Sequence, residues 1–308
     1  MPKKTSKRKA AKPAPRRAPL NESLRPQQPL VSGRWLLSAI GVVLVMAGVC
    51  AYAAFCLLFY QGSWQLIFHP SRVVSATPAK VGIAFDDVRF DYTETGKPQL
   101  AGWWVPAGTD AQYSNRAILL LHDGHGSLSD SVNQIQALHA LGINVFAFDY
   151  RGFGQSADLK PSEQSMNQDA DAAIAYLTGT RHLPATSIVL FGIGLGAPVA
   201  AAAAISHREI SAVMLENVSP DARTLFAADA RTKLLPVRML TSDRFNGSET
   251  LAHLAVSKLF LERGGSASTE ALFHAAGYPK QLFQIGPEDQ AQYLDILRRF
   301  LDESLQHP

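Results

Sequence analysis

Cysteine is scarce in this sequence of 308 residues, and it is confined to one segment. Both cysteines, Cys50 and Cys56, lie inside a long apolar run near the N-terminus. The rest of the chain therefore has no disulfide, no thiol nucleophile and no cysteine-ligated metal. We expect the protein to carry neither a metal nor another cofactor.

Acidic residues are nearly absent from the N-terminal part of the chain. Residues 1–34 hold ten of the 29 lysines and arginines and six of the 18 prolines, but a single acid, Glu22. The remainder is net acidic although the whole chain has a formal charge of +3. A nucleic-acid-binding domain is thereby excluded, because the basic excess belongs to the tail alone. The composition predicts a disordered basic tail over residues 1–34.

Charge is absent from the 26 residues Trp35–Tyr60, which have aromatic residues at both ends. As a helix this segment would reach roughly 39 Å, more than the ~30 Å of a hydrocarbon core. We predict a single transmembrane helix over residues 35–60. The basic residues before it place the N-terminus in the cytoplasm and everything after residue 61 on the non-cytoplasmic side. A signal peptide cleaved at Ala51–Ala53 is the alternative, but the apolar run continues for seven residues beyond that site.

Short apolar runs alternate with helical patterns from residue 62 onwards. Strands are predicted at Val88–Tyr92, Leu100–Val105, Ala117–His122, Asn144–Asp149, Ser187–Phe191, Ser211–Leu215, Lys258–Leu261 and Gln281–Ile285. Several of these runs are continuously apolar, which favours strands buried on both faces of a parallel sheet. We predict one α/β domain over residues 62–308. An irregular insertion at about residues 219–255 is expected to cover one end of the sheet.

The motif VLFGIGLGAPVA indicates a strand, a sharp glycine-rich turn and a helix of small residues. Gly192 and Gly196 take the outer positions of the nucleophile elbow G-x-S-x-G, and Gly194 stands where the serine belongs. LLLHDGHGS (Leu119–Ser127) resembles an oxyanion loop after a third strand, and FDYRGFGQS (Phe148–Ser156) a loop after a fourth. Together the motifs resemble the α/β-hydrolase superfamily, in particular its serine-aminopeptidase-like, membrane-anchored branch. The resemblance implies a mostly parallel eight-stranded sheet, flanking helices, a short lid and one preceding transmembrane helix.

The three triad positions that this resemblance implies all lack the expected residue. Gly194 has no hydroxyl group, and the segment after the seventh strand, KLFLERGGSAS, has no HGxxD pattern. After the eighth strand the sequence offers Glu288 and Asp289, and its only histidine there is His307. Hydrolysis needs the nucleophile and its base together. We therefore predict a pseudo-hydrolase without catalysis, which would bind the lipid bilayer and either a protein partner or a small acyl or peptide ligand.

The main-chain part of an oxyanion hole is still expected. The N–H groups of Leu195 and Gly124 correspond to its two donors, and a helix N-terminus at Leu195 points to the same place. Such a site could hold an anion, a carboxylate or a water. Asp123 replaces a glycine and adds negative charge beside the hole, which should weaken oxyanion binding. His125 either donates to a ligand or is a surface loop side chain.

Two other functions stay open at this point. Acyl hydrolysis with displaced residues would have to use Ser127, Ser129, His125 and Glu262, which lie on loops at the correct end of the sheet. Dinucleotide binding is the other, because GIGLGA also fits G-x-G-x-x-G/A through Gly192, Gly194 and Ala197. In that case Glu216, at the end of the next strand, would bind the ribose.

Overall fold

The chain divides into two compact units, Met1–Ala54 and Phe55–Pro308, in a computed structural model that describes residues 32–91, 99–264 and 267–305. Helix α1 (Gly33–Gly62) supplies nearly all the described residues of the first unit, and its last turns belong to the second. None of its residues is buried, and it is long and apolar enough to cross a membrane. It extends two residues beyond each end of the predicted span. Most of the predicted basic tail, residues 1–31, lies outside the described residues.

The second unit is built on one eight-stranded sheet, as predicted. Its strands are β1 (Asp86–Phe90), β2 (Leu100–Val105), β3 (Tyr113–Leu121), β4 (Ile143–Asp149), β5 (Ile188–Ile193), β6 (Ala212–Glu216), β7 (Ser257–Arg263) and β8 (Lys280–Ile285). The strand order is β8-β7-β6-β5-β3-β4-β2-β1. Only β2 runs antiparallel to both of its neighbours, so β3 to β8 form a parallel block. Their carboxyl ends therefore meet along one edge, where ligand sites of open α/β sheets lie.

Helices cover both faces of the sheet. They are α2 (Val132–His139), α3 (Glu163–Gly179), α4 (Gly196–Ser206), α8 (Ala267–Ala275) and α9 (Gln290–Leu305). One apolar core packs α3 and α4 against the sheet, and a second packs α2 and α9 against the opposite face. Because the central strands are buried on both sides, their residues are continuously apolar rather than alternating.

The insertion between β6 and β7 has little regular structure, which agrees with its sequence. It holds α5 (Ala222–Ala228), a 3-10 turn (Ala230–Leu234), α6 (Val237–Leu240) and α7 (Gly247–His253). We call residues 219–255 the lid. Its Phe226 and Phe245 are buried against the rings of Phe59 and Phe68, respectively. The lid therefore packs on the last turn of α1 and on the segment that follows this helix.

Candidate functional site

The turn between β5 and α4 has the shape of a nucleophile elbow. Gly194 adopts a left-handed backbone with φ of +57°, and its N–H donates to the carbonyl of Glu216 at 3.0 Å. A Cβ at Gly192 would overlap the main chain of Gly196 and Ala197. Glycine is needed at Gly196 too, since a Cβ there would overlap the main-chain carbonyls that end β3. The two outer glycines therefore let α4 pack directly against the strands, as the sequence motif predicts.

A side chain of the protein itself accepts the two main-chain N–H groups that are expected to form an oxyanion hole. Oδ1 of Asp123 accepts the main-chain N–H of Leu195 at 2.7 Å and the main-chain N–H of Gly124 at 2.7 Å. These are the two donors that the sequence analysis assigns to the hole. The negative charge that the sequence analysis expects from Asp123 therefore lies directly at these two donors, and its effect on oxyanion binding stays a prediction.

The same carboxylate fills the space above Gly194. A Cβ built on Gly194 would overlap Cγ and both carboxyl oxygens of Asp123. A serine at this position would have no room for its side chain while Asp123 keeps this rotamer. The glycine in the nucleophile position and the aspartate in the oxyanion loop are therefore structurally complementary.

His125 pairs with the outer oxygen of this carboxylate. Its Nδ1 lies 3.2 Å from Oδ2 of Asp123, and this hydrogen bond raises the pKa of His125. Burial opposes ionisation of Asp123, but its hydrogen bonds with His125 and with the N–H groups of Leu195 and Gly124 outweigh burial and lower its pKa. Each member thus favours the charged form of the other. We call Asp123 and His125 the latch.

One residue of this site, His69, is missing from the sequence-based prediction. Its ring stacks on His125 with centroids 4.8 Å apart and an interplanar angle of 8°. The contact arises because His69–Pro70 pairs in parallel with His125–Gly126 as a two-residue strand. A strand of two residues has no detectable periodicity, so the sequence alone gives no signal for it.

The proposed displaced catalytic residues are not assembled as a nucleophile and base. Ser127 is 2% exposed and its Oγ donates to Val73 O, while Ser129 is 6% exposed and its Oγ donates to Ala76 O. These hydroxyls tie the oxyanion loop to the chain before β1. Glu262 is buried within β7. After β8, Asp289 accepts the N–H of Gln292 at the start of α9, and His307 lies outside the described residues.

Glu216 does not face the glycine turn as a ribose ligand would. Glu216 is 5% exposed, its carboxylate accepts a hydrogen bond from the Tyr293 hydroxyl at 2.7 Å, and burial raises its pKa. Tyr293 belongs to α9 and is itself buried, so the Glu216 carboxylate already has a hydrogen-bond partner in the core. A dinucleotide would also bring its pyrophosphate to the helix N-terminus that the Asp123 carboxylate already occupies. The geometry therefore favours the hydrolase interpretation of GIGLGA.

Within the described ranges no cluster of three metal-binding side chains occurs.

The sequence is similar to those of known proteins with this fold. An uncharacterized protein of Mycobacterium tuberculosis is 31% identical over 276 residues, which is 85% of this chain and 93% of that one. The family described as Serine aminopeptidase, S33 matches residues 113–237, the segment that holds the oxyanion loop and the elbow. The chain belongs to the α/β-hydrolase superfamily.

Other members of the α/β-hydrolase superfamily are more distant. The Alpha/beta hydrolase domain-containing protein WAV2 of Arabidopsis thaliana is 27% identical over 181 residues, 56% of this chain and 55% of that protein. A crystal structure of an α/β hydrolase from Vibrio vulnificus has a TM-score of 0.58 at 21% identity and covers 72% of this chain and 83% of its own. The Pyrococcus furiosus esterase Pf2001 has a TM-score of 0.58 at 20% identity, covering 78% and 98%. At these identities the two structures establish the shared fold.

Proposed function

We propose that this protein is a membrane-anchored pseudo-hydrolase, whose domain binds a ligand or partner instead of cleaving one. The observation that carries the proposal is the Asp123 carboxylate, which accepts both donors of the oxyanion hole at 2.7 Å. Acyl hydrolysis requires those donors to stabilise a developing oxyanion. A resident negative charge uses up the donors and repels the oxyanion. The missing hydroxyl at Gly194 supports the same conclusion.

The site then has the chemistry of a gated binding site. A ligand carboxylate or acyl oxygen can reach the N–H groups of Leu195 and Gly124 only after Asp123 rotates out of the hole. His125 binds the outer oxygen of Asp123 and is itself exposed, so a ligand or partner would have to displace this latch. We propose a small acyl or peptide ligand, or a protein segment that presents such a group.

The anchoring of this domain is part of the proposal. Helix α1 supplies the length and apolar character of a single span. The ten basic residues at positions 1–34, nine of them before α1 and one in its first turn, favour a cytoplasmic N-terminus under the positive-inside rule. The hydrolase-fold domain would then lie on the periplasmic or extracellular side.

The proposal is tested on the full chain in detergent by turnover of p-nitrophenyl butyrate and by labelling with a fluorophosphonate probe. An active serine esterase serves as positive control and the heat-denatured chain as negative control. We expect both signals to equal the denatured control. Labelling of a serine, located by mass spectrometry of the adduct, would refute the proposal; labelling of Ser127 or Ser129 would establish the displaced-residue alternative.

A further inference from the structure

The lid contains a cavity that is separate from the elbow. It has a volume of about 480 Å³, and its lining includes the cations Arg223, Lys233 and Arg244 and the apolar residues Phe226, Ala227 and Val237. None of these residues belongs to the latch or to the glycine turn. The cavity therefore does not depend on whether the Asp123 site is catalytic.

The rim of the cavity is positively charged. Arg223, Lys233 and Arg244 are exposed. Within the described ranges, none of these three side chains forms an ion pair or a hydrogen bond. The one acid of the lining is Asp243, whose Oδ1 accepts the N–H of Glu163 at 2.9 Å. A second carboxylate, that of Glu163, accepts the main-chain N–H of Arg244 at 2.6 Å. Three cations beside these two hydrogen-bonded acids leave an excess of one positive charge, which suits an anion.

The wall of the cavity is apolar. Phe226 is buried, with Ala227 and Val237 beside it in the lining. A small inorganic anion would leave this surface without a partner. A molecule with a negative head and a hydrocarbon chain would pair with the rim and the wall together.

The position of this cavity in the second unit indicates where such a molecule comes from. The ring of Phe226 packs edge-on against Phe59, with centroids 5.9 Å apart, and Lys160 lies 6.0 Å from the ring of Tyr60. Phe59 and Tyr60 end the uncharged run of the predicted span, at the level where aromatic residues meet lipid head groups. Two lid side chains, Leu234 and Met239, are 79% and 86% exposed, as expected for groups that enter a membrane surface.

We propose that the lid cavity binds one anionic phospholipid of the bilayer that anchors the chain. The lipid phosphate lies between the guanidinium groups of Arg223 and Arg244 near Lys233, and the start of an acyl chain lies along Phe226 and Val237. The lid is thereby held at the membrane surface by a lipid as well as by the end of α1.

The test is native mass spectrometry of the full chain in detergent, titrated with dioleoyl-phosphatidylglycerol or dioleoyl-phosphatidylcholine. We expect one phosphatidylglycerol to be retained and phosphatidylcholine to be lost. Arg223→Gln/Arg244→Gln should weaken retention by roughly thirtyfold, since each cation near a lipid surface contributes about 1 kcal/mol. The matched control is Arg298→Gln/Arg299→Gln on α9, which removes the same charge from exposed positions outside the lid. It should retain the lipid as the wild type does.

A second variant separates a cavity from a charged surface. Ala227→Trp keeps every charge but fills the cavity, so we expect this variant to lose the lipid as well. Glycerol 3-phosphate at equal concentration should not displace phosphatidylglycerol from the wild type. Circular dichroism melting shows that each variant is folded. Equal loss in both arginine double variants, full retention by Ala227→Trp, displacement by glycerol 3-phosphate, or no retention by the wild type would each overturn the proposal.

Discussion

Removing the Asp123 carboxyl group is the most direct perturbation of the latch. In Asp123→Ala, the N–H groups of Leu195 and Gly124 both lose an anionic acceptor at 2.7 Å. Two hydrogen bonds to a charged group contribute about 3–6 kcal/mol together. The Asp123 side chain is 36% exposed, so water can enter the variant and replace part of these hydrogen bonds. The free energy of unfolding should therefore fall by about 2 kcal/mol. For a domain of this size the melting temperature should fall by about 4–8 °C.

The assay is thermal melting of the full chain with and without butyrate. Emptying the hole exposes two donors and a helix N-terminus, so butyrate should stabilise Asp123→Ala and leave the wild type unchanged. Asp110→Ala, which removes an exposed carboxylate from a turn, is the matched control and should behave as wild type. The reasoning is refuted if Asp123→Ala melts as high as the wild type, or if butyrate stabilises both equally.

Three further predictions concern the glycine turn and the latch. Gly194→Ser should destabilise the protein by about 2–4 kcal/mol, through backbone strain and overlap with Asp123, and should give no esterase activity. Adding Asp123→Gly should recover at least about 1 kcal/mol in a double-mutant cycle of denaturant unfolding, and strict additivity would contradict the overlap. Gly196→Ala should cost about 3 kcal/mol because its Cβ meets main-chain carbonyls. Gly179→Ala, at the last residue of α3 and with open space around its Cβ, is the control and should not destabilise the protein. Because the folded pKa of Asp123 is lowered, its contribution is lost as pH falls; because that of His125 is raised, its contribution is present below about pH 6.5 and lost as pH rises. The melting difference between wild type and Asp123→Ala should therefore peak between about pH 4 and 6.5, and a difference independent of pH would contradict the ion pair.

The sheet could be predicted from the sequence because its signals are local. Runs such as AILLL and NVFAF are apolar at every position, and each of the eight predicted strands is present in the sheet. The elbow could be predicted from the sequence equally well. Main-chain atoms approach Gly192 and Gly196 so closely that only glycine fits at these two positions.

The contact of Asp123 with the two main-chain donors could not be predicted from the sequence in the same way. The sequence places Asp123 in the oxyanion loop, but its rotamer depends on Leu195, which β5 and α4 position on the neighbouring strand end. The contact of His69 with His125 depends likewise on a pairing between distant segments. Side-chain placement across two loops follows from the assembled sheet, whereas strand identity follows from the residues of each strand.

A carboxylate is also the acid product of ester and peptide hydrolysis, so the hole contains the equivalent of a product that cannot diffuse away. A free acid competing for Leu195 and Gly124 pays for its lost translational freedom, whereas the side chain of Asp123 is already tethered there. Any molecule that replaces it must therefore bind strongly through contacts elsewhere on the domain. The tether therefore sets a minimum affinity for any competing ligand. Carboxylic acids that bind weakly do not displace Asp123 at ordinary concentrations, and only a ligand that also contacts a second surface of the domain does so.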